Sequence, residues 1–243
     1  ALAAMHTIPE GRTIHSLHGY FLRPGDITEA ITLSADRIHD GRSFSTRRVQ
    51  AYQKGEPIFS MIASFQDNDP GLDHFSPMPQ NIPDPETLPS AQEVLRGINH
   101  PLADVWATTR AFDLRHHPSP IYIDGDREKT AHQAVWLKAL SPLPDDPHLH
   151  QAALAYASDF SILEPVMRAH GISWSTPGLK IASLDHAMWW HRPHRVDEWF
   201  LYVQESPSAR GGRGLALGRI FSQEGLLIAS VAQEGMVRVP NPS

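Results

Sequence analysis

Three polar residues stand in rows that are otherwise apolar, and their types suit the handling of one water molecule. Asp159 falls near the end of a predicted helix, on the edge of its apolar face. Ser183 sits on a predicted strand and shares a face with Leu179, Ile181 and Asp185. Gln233 interrupts the row Leu227, Ala229, Val231 and Val237 on the last predicted strand. Polar groups turned toward an apolar layer are costly unless they pair. A carboxylate can take a proton from water as general base. A hydroxyl can donate to that carboxylate or to the water. A Gln amide both donates and accepts, so it can hold a water and orient it. The structural alternative is that Asp159 caps a loop, Ser183 is a small strand residue and Gln233 bonds to a neighbouring backbone.

The elements that must position these residues are readable in outline. Asp146 is a good N-cap and Pro147 suits the first helical position. Leu149, Ala152, Ala153, Tyr156, Ala157 and Phe160 then recur at helical spacing, so that face is apolar and largely small. After Gly171 and Pro177-Gly178 a long strand, residues 179–190, carries Ser183. Ahead of this unit, residues 12–23, 27–36, 43–53 and 57–66 read as antiparallel strands, and residues 1–5 as the last turn of a helix. Residues 67–101 carry seven prolines and read as a semi-rigid linker with a short helix near Ser90 to Leu95. Strand patterns return at 112–116, 131–140, 198–205, 213–221 and 226–239.

The two halves resemble each other. Ser16-Leu17-His18 leads toward Arg23-Pro24, as Ser183-Leu184-Asp185 leads toward Arg192-Pro193. Ile62-Ala63-Ser64 is matched by Ile228-Ala229-Ser230. Such a repeat suggests a duplicated unit. Each unit is expected to be a helix wrapped by a curved antiparallel sheet, an α+β architecture.

Composition narrows the function. A net charge of −6 and a pI of about 6.2 argue against a nucleic-acid binder, which needs clustered positive charge. The absence of cysteine removes thiolate catalysis and fits a reducing compartment, so a cytoplasmic protein is expected. No apolar run approaches the roughly 18–20 residues of a membrane span. The histidine pairs 148/150 and 116/117 have poor spacing for a metal, and no metal site is expected. His186, His191 and His194 surround Trp189-Trp190, where exposed or core histidines are the plainer reading. There is no G-x-S-x-G elbow for a serine hydrolase.

HSLHGYFLRPGD, FSTRRVQAYQKGEPIFSMIASFQ, YASDFSILEP, IASLDHAMWWHRP and SVAQEGMVR, in this order, resemble the acyl-CoA thioesterase II family over nearly the whole chain. The resemblance implies a double hotdog fold, hydrolysis of fatty acyl-CoA to free acid and CoA, and no cofactor. It places the catalytic Asp at Asp159, the Ser or Thr at Ser183 and the Gln at Gln233. It also implies a first hotdog unit at residues 1–67, a linker at 68–104 and a second, catalytic unit at 105–243. The family normally has a strand and most of the first hotdog helix ahead of the point where this sequence begins.

On this reading the trio aims water at a thioester carbonyl, and the oxyanion needs a backbone N–H, expected from the helix N-terminus. Arg47, Arg48 and Arg192 are candidates for CoA phosphates, or else line a solvated strand edge. Two alternatives remain: an enoyl-CoA hydratase of hotdog fold using Asp185-His186, and a non-catalytic acyl-CoA binding or scaffold protein. The site is expected near the contact between the halves, once per chain, although Ser16 and Gln66 approximate Ser183 and Gln233. Open strand edges make a homo-oligomer the expected assembly.

Overall fold

The computed structural model describes residues 1–101, 103–108 and 110–240. In the first half, alternating sequence builds β1 (Thr13–Phe21), β2 (Thr32–Asp40), β3 (Phe44–Gln53) and β4 (Glu56–Gln66). The second half contributes β5 (Phe112–His117), β6 (His132–Ala139), β7 (Lys180–Ser183), β8 (Asp185–Trp190), β9 (Phe200–Arg210), β10 (Arg213–Ser222) and β11 (Leu227–Arg238). The two halves share an edge: β1 pairs antiparallel with β8, from Ser16↔Trp189 to Tyr20↔Asp185. A single sheet results, in the order β2-β3-β4-β1-β8-β11-β10-β9-β6-β5, with β7 attached to β11. This is the expected α+β, double hotdog architecture.

The helices are few and short: α1 (Leu2–Met5), α2 (Ala91–Leu95), α3 (Ala103–Thr108), α4 (Pro147–Ala157) and α5 (Glu164–Arg168). α4 starts as its sequence dictates, with Pro147 at the first position and the Asp146 carboxylate accepting from His148 N at 2.9 Å. Its buried face is His150, Leu154 and Ala157, rotated from the expected stripe, and Tyr156 is 57% exposed. The turn after α4 and the start of α5 lie hard against the sheet. A Cβ on Gly235 would stand 2.3 Å from Leu163 Cδ1, and one on Gly214 2.4 Å from Val166 Cγ1. Glycine at these two positions permits that approach.

Three expectations change. The second strand begins at Thr32 rather than Ile27 because Asp26 Oδ1 accepts from Thr28 N and Oγ1, closing a turn, and Gln53 Nε2 donates to the carbonyls of Asp26 and Glu29. The proline-rich segment is more than a spacer. It forms α2 with a Ser90–Glu93 capping box, and it lies across the second half's sheet. There Trp136 Nε1 donates to Pro83 O and Trp199 Nε1 to Glu86, and Met78, Ile82 and Leu88 pack on Trp136, Trp199, Leu201 and Phe221. The third change concerns the repeat. Leu22 and Arg23 N–H donate to Ile58 O, as His191 and Arg192 N–H donate to Ile228 O. Stepping five residues back along β1 and β8 and five forward along β4 and β11 from these bonds makes Leu17 the counterpart of His186, and Ala63 that of Gln233. Ser16 and Gln66 are therefore not the counterparts of Ser183 and Gln233.

Candidate active site

The geometry around Ser183 begins with a break in the strand. Ser183 pairs with Gly235 on β11, but Ala187 pairs with Ala232, so one extra residue lies on the β7–β8 side. Leu184 N donates to Glu234 O at 2.9 Å there. An extra residue reverses the alternation of side chains beyond it. Ser183 and His186 consequently reach the same cluster. Asp185, expected beside Ser183, instead accepts from Glu234 N at 2.7 Å.

Asp159 follows the end of α4, in the turn that leads into α5. Gln233 Nε2 donates to Asp159 Oδ1 at 2.8 Å and to Ser183 Oγ at 2.9 Å, and Ser183 Oγ donates to Asp159 Oδ1 at 3.1 Å. The three residues singled out in the sequence therefore form a closed triangle. Gln233 is 0% exposed, Ser183 is half-buried and Asp159 is exposed. Among the described hydrogen bonds, those of the Asp159 carboxylate fall on Oδ1. The cluster sits beside the junction of the halves, since Gly19 of β1 pairs with His186.

Behind the triangle stand residues the sequence did not single out for this site. His186 Nδ1 contacts Gln233 Oε1, and its Nε2 lies 3.0 Å from Ser158 Oγ. The Asp185-His186 pair was visible only as a candidate for other chemistry, and the strand break hid its true direction. Tyr202 OH donates to Ser158 O at 3.1 Å, fixing the end of α4. Burial first, and then the charge of Asp159, push the Tyr202 phenol well above its ordinary value, so it stays neutral.

A second buried network holds the rest of the turn. Gln204 Nε2 donates to Ser161 Oγ at 2.8 Å, while Gln133 Nε2 and Trp174 Nε1 donate to the Glu164 carboxylate at 2.8 and 2.9 Å. His116 Nε2 lies 3.2 Å from Glu164, and Arg168 Nε donates to Gln133 Oε1 at 2.5 Å. Burial opposes ionisation of Glu164. The His116 charge and the bonds from His116, Trp174 and Gln133 outweigh it and lower the carboxyl to about 2.

The N-terminus of α4, the expected source of an oxyanion N–H, lies away from Asp159. Asp159 follows the C-terminal end of α4, roughly 16 Å along the axis from the helix N-terminus. Nor are two of the three arginines free for phosphates. Arg47 is 0% exposed and donates to Thr7, His39 O and Asp40, and Arg192 donates to Leu227 O and Asp73. Arg48 pairs with Asp36 at the surface. A cleft of about 400 Å³ lies beside the start of α4, lined by Asp145, His150, His194 and Arg195, and does not include Asp159. There Asp145 pairs with Arg195 and burial lowers His194 to about 4, while His150 Nε2, Gln151 Oε1 and His194 Nε2 are buried without a hydrogen-bond partner among the described residues. His186, His191 and His194 do not gather; His191 bonds to Ser230 Oγ. Among the described residues no helix is long and apolar enough to cross a membrane.

A family model described as acyl-CoA thioesterase matches residues 108–236, and one described as the acyl-CoA thioesterase N-terminal domain matches residues 1–66. The chain belongs to the acyl-CoA thioesterase family. It is 38% identical to Acyl-CoA thioesterase 2 of Haemophilus influenzae, over 97% of this chain and 83% of the relative. It is 36% identical to Acyl-coenzyme A thioesterase 8 of Homo sapiens, over 98% of this chain and 77% of the relative. The crystal structure of an acyl-CoA thioesterase II from Mycobacterium marinum superposes with a TM-score of 0.80 at 43% identity, covering 99% of this chain and 86% of that one. A hot dog fold protein from Alicyclobacillus acidocaldarius, at 20% identity, matches in fold with a TM-score of 0.78, covering 98% and 84%.

Proposed function

We propose that this protein hydrolyses fatty acyl-CoA to free fatty acid and CoA, with Asp159 as general base for the attacking water. One observation carries the reading: Asp159 is a solvent-exposed carboxylate whose Oδ1 is held by two donors, Gln233 Nε2 and Ser183 Oγ. Oδ2 is then the oxygen that meets water. Asp159 removes a proton as the water oxygen attacks the thioester carbonyl carbon. The tetrahedral intermediate collapses with cleavage of the C–S bond, and the proton passes from Asp159 to the departing thiolate. A general base of this kind contributes ~10²–10⁴-fold. The role of Gln233 shifts from the one its chemistry first suggested. A wholly buried amide with both N–H groups engaged holds the base rather than the water. Ser183 is a hydrogen-bonding aide and not the nucleophile.

We read residues 1–67 and 105–243 as the two hotdog units joined by 68–104, and we place the protein in the cytoplasm as a homo-oligomer. The lack of cysteine and the exposed apolar residues Leu33 and Ile38 on edge strand β2 support this. The hydratase alternative loses its dyad, because Asp185 is bound to the Glu234 backbone and His186 is buried. Thiol release measured across a chain-length series of acyl-CoAs tests the reading. Turnover that peaks within the series is expected. Binding without turnover would replace it with the scaffold reading.

A further inference from the structure

His186 takes no part in the water chemistry above, yet it is 6% exposed and bonded at both ring nitrogens. Its proton positions follow from the other end of the hydrogen-bond chain. The Asp159 carboxylate only accepts, so the Gln233 group 2.8 Å away must be the NH₂, which also lies 2.9 Å from Ser183 Oγ. The Gln233 carbonyl oxygen then faces His186 Nδ1. Two acceptors do not make such a contact, so Nδ1 carries a proton.

We propose that His186 is a positioning residue, whose Nδ1–H holds the Gln233 amide in the one rotation that aims its N–H groups at Asp159 and Ser183. The proposal rests on the reading of Asp159 as the base. Turned by 180°, the amide would set its oxygen against the Asp159 carboxylate. That would displace the carboxylate or favour its protonated form, and either disables a base. The Ser158 hydroxyl completes the device. It lies 2.8 Å from Ala155 O and 3.0 Å from His186 Nε2. Donating to Nε2 it suits a neutral ring, and donating to Ala155 O it suits a cationic one. Nδ1–H is present in both states, so the Gln233 orientation is the same in both. The first half supplies a built-in contrast. There the counterparts of His186 and Gln233 are Leu17 and Ala63, paired directly and both buried. Where the amide is absent, the imidazole is absent too, and an aliphatic side chain fills the space.

The test compares thiol release by His186→Leu, close in size, and by His186→Asn, which keeps an N–H in place of Nδ1. The Leu variant should lower kcat by about 10²-fold with KM little changed, the scale of a misplaced catalytic group. The Asn variant should recover most of that loss. In a Gln233→Ala background, His186→Leu should cost nothing further, because it acts through Gln233. Imidazole ¹⁵N NMR of the wild-type protein should find Nδ1 protonated, a readout independent of whether any variant folds. If Asp159→Asn keeps wild-type turnover, the base assignment fails. If Asp159→Asn is inactive while a folded His186→Leu turns over normally, or Nδ1 is bare, the positioning role alone fails.

Discussion

Gln233 and Asp159, 74 residues apart, meet through a 2.8 Å N–H···O bond whose donor is wholly buried and whose acceptor faces solvent. The bond ties a surface carboxylate to the core of the sheet. Asp159→Ala removes the base and Asp159→Asn keeps its shape without its basicity. Each should lower thiol release by at least ~10², the general-base scale. Near wild-type turnover in either folded variant would remove Asp159 from the chemistry.

Ser183 Oγ accepts from Gln233 and donates to Asp159, so its hydroxyl links the other two. Ser183→Thr preserves both bonds and should retain most activity. Ser183→Ala leaves one Gln233 N–H without this partner while the Gln233–Asp159 bond persists, so its loss should be smaller than that of Asp159→Ala. The His186 nitrogens are taken by Gln233 and Ser158 and leave Ser183 without an imidazole base. Mass spectrometry during turnover should find no acyl group on Ser183, and a trapped acyl-Ser183 would reverse its role.

The strand pairing also sets the number of sites. Leu17 and Ala63 occupy in the first half the positions of His186 and Gln233, and neither side chain can hold a carboxylate. Titration with a tight, non-hydrolysable acyl-CoA analogue should saturate at one per chain. Two per chain would contradict the register.

Much of this was legible in the residues, for physical reasons that differ from place to place. Asp146-Pro147 announced α4, because caps are local chemistry, and the short helix expected at Ser90 to Leu95 is α2, where the structure adds a Ser90–Glu93 capping box. Gln233 stood out because β11 alternates cleanly around it. The break at Leu184 had no such signature: one extra residue changes no composition, yet it decides that His186 rather than Asp185 joins the cluster. The register of the repeat was misread for a related reason. Matching tripeptides align letters, whereas Leu22 and His191, bonded to Ile58 and Ile228, align the strands. The proline-rich segment could be read as irregular, but not as docked, because Trp136 and Trp199, whose indoles it receives, lie far along the chain.

The Glu164 network gives the protein a sensitivity to acid. Glu164 is wholly buried, and its folded-state carboxyl is lowered from the usual 4.5 to about 2. A carboxyl depressed in the folded state contributes stability that is fully present above its unfolded value and is lost as pH falls through the folded one. The window is therefore roughly pH 4.5 down to 2. Glu164→Gln leaves His116 buried without its carboxylate partner and should destabilise the fold by about 3–5 kcal/mol near neutral pH, the usual cost of breaking a buried pair. The deficit relative to the parent should shrink as the pH is lowered through that window, because the parent loses its own contribution there. Urea titrations of both proteins at several pH values measure this. A difference that stays constant with pH would show that the Glu164 charge is not what holds the turn carrying Asp159.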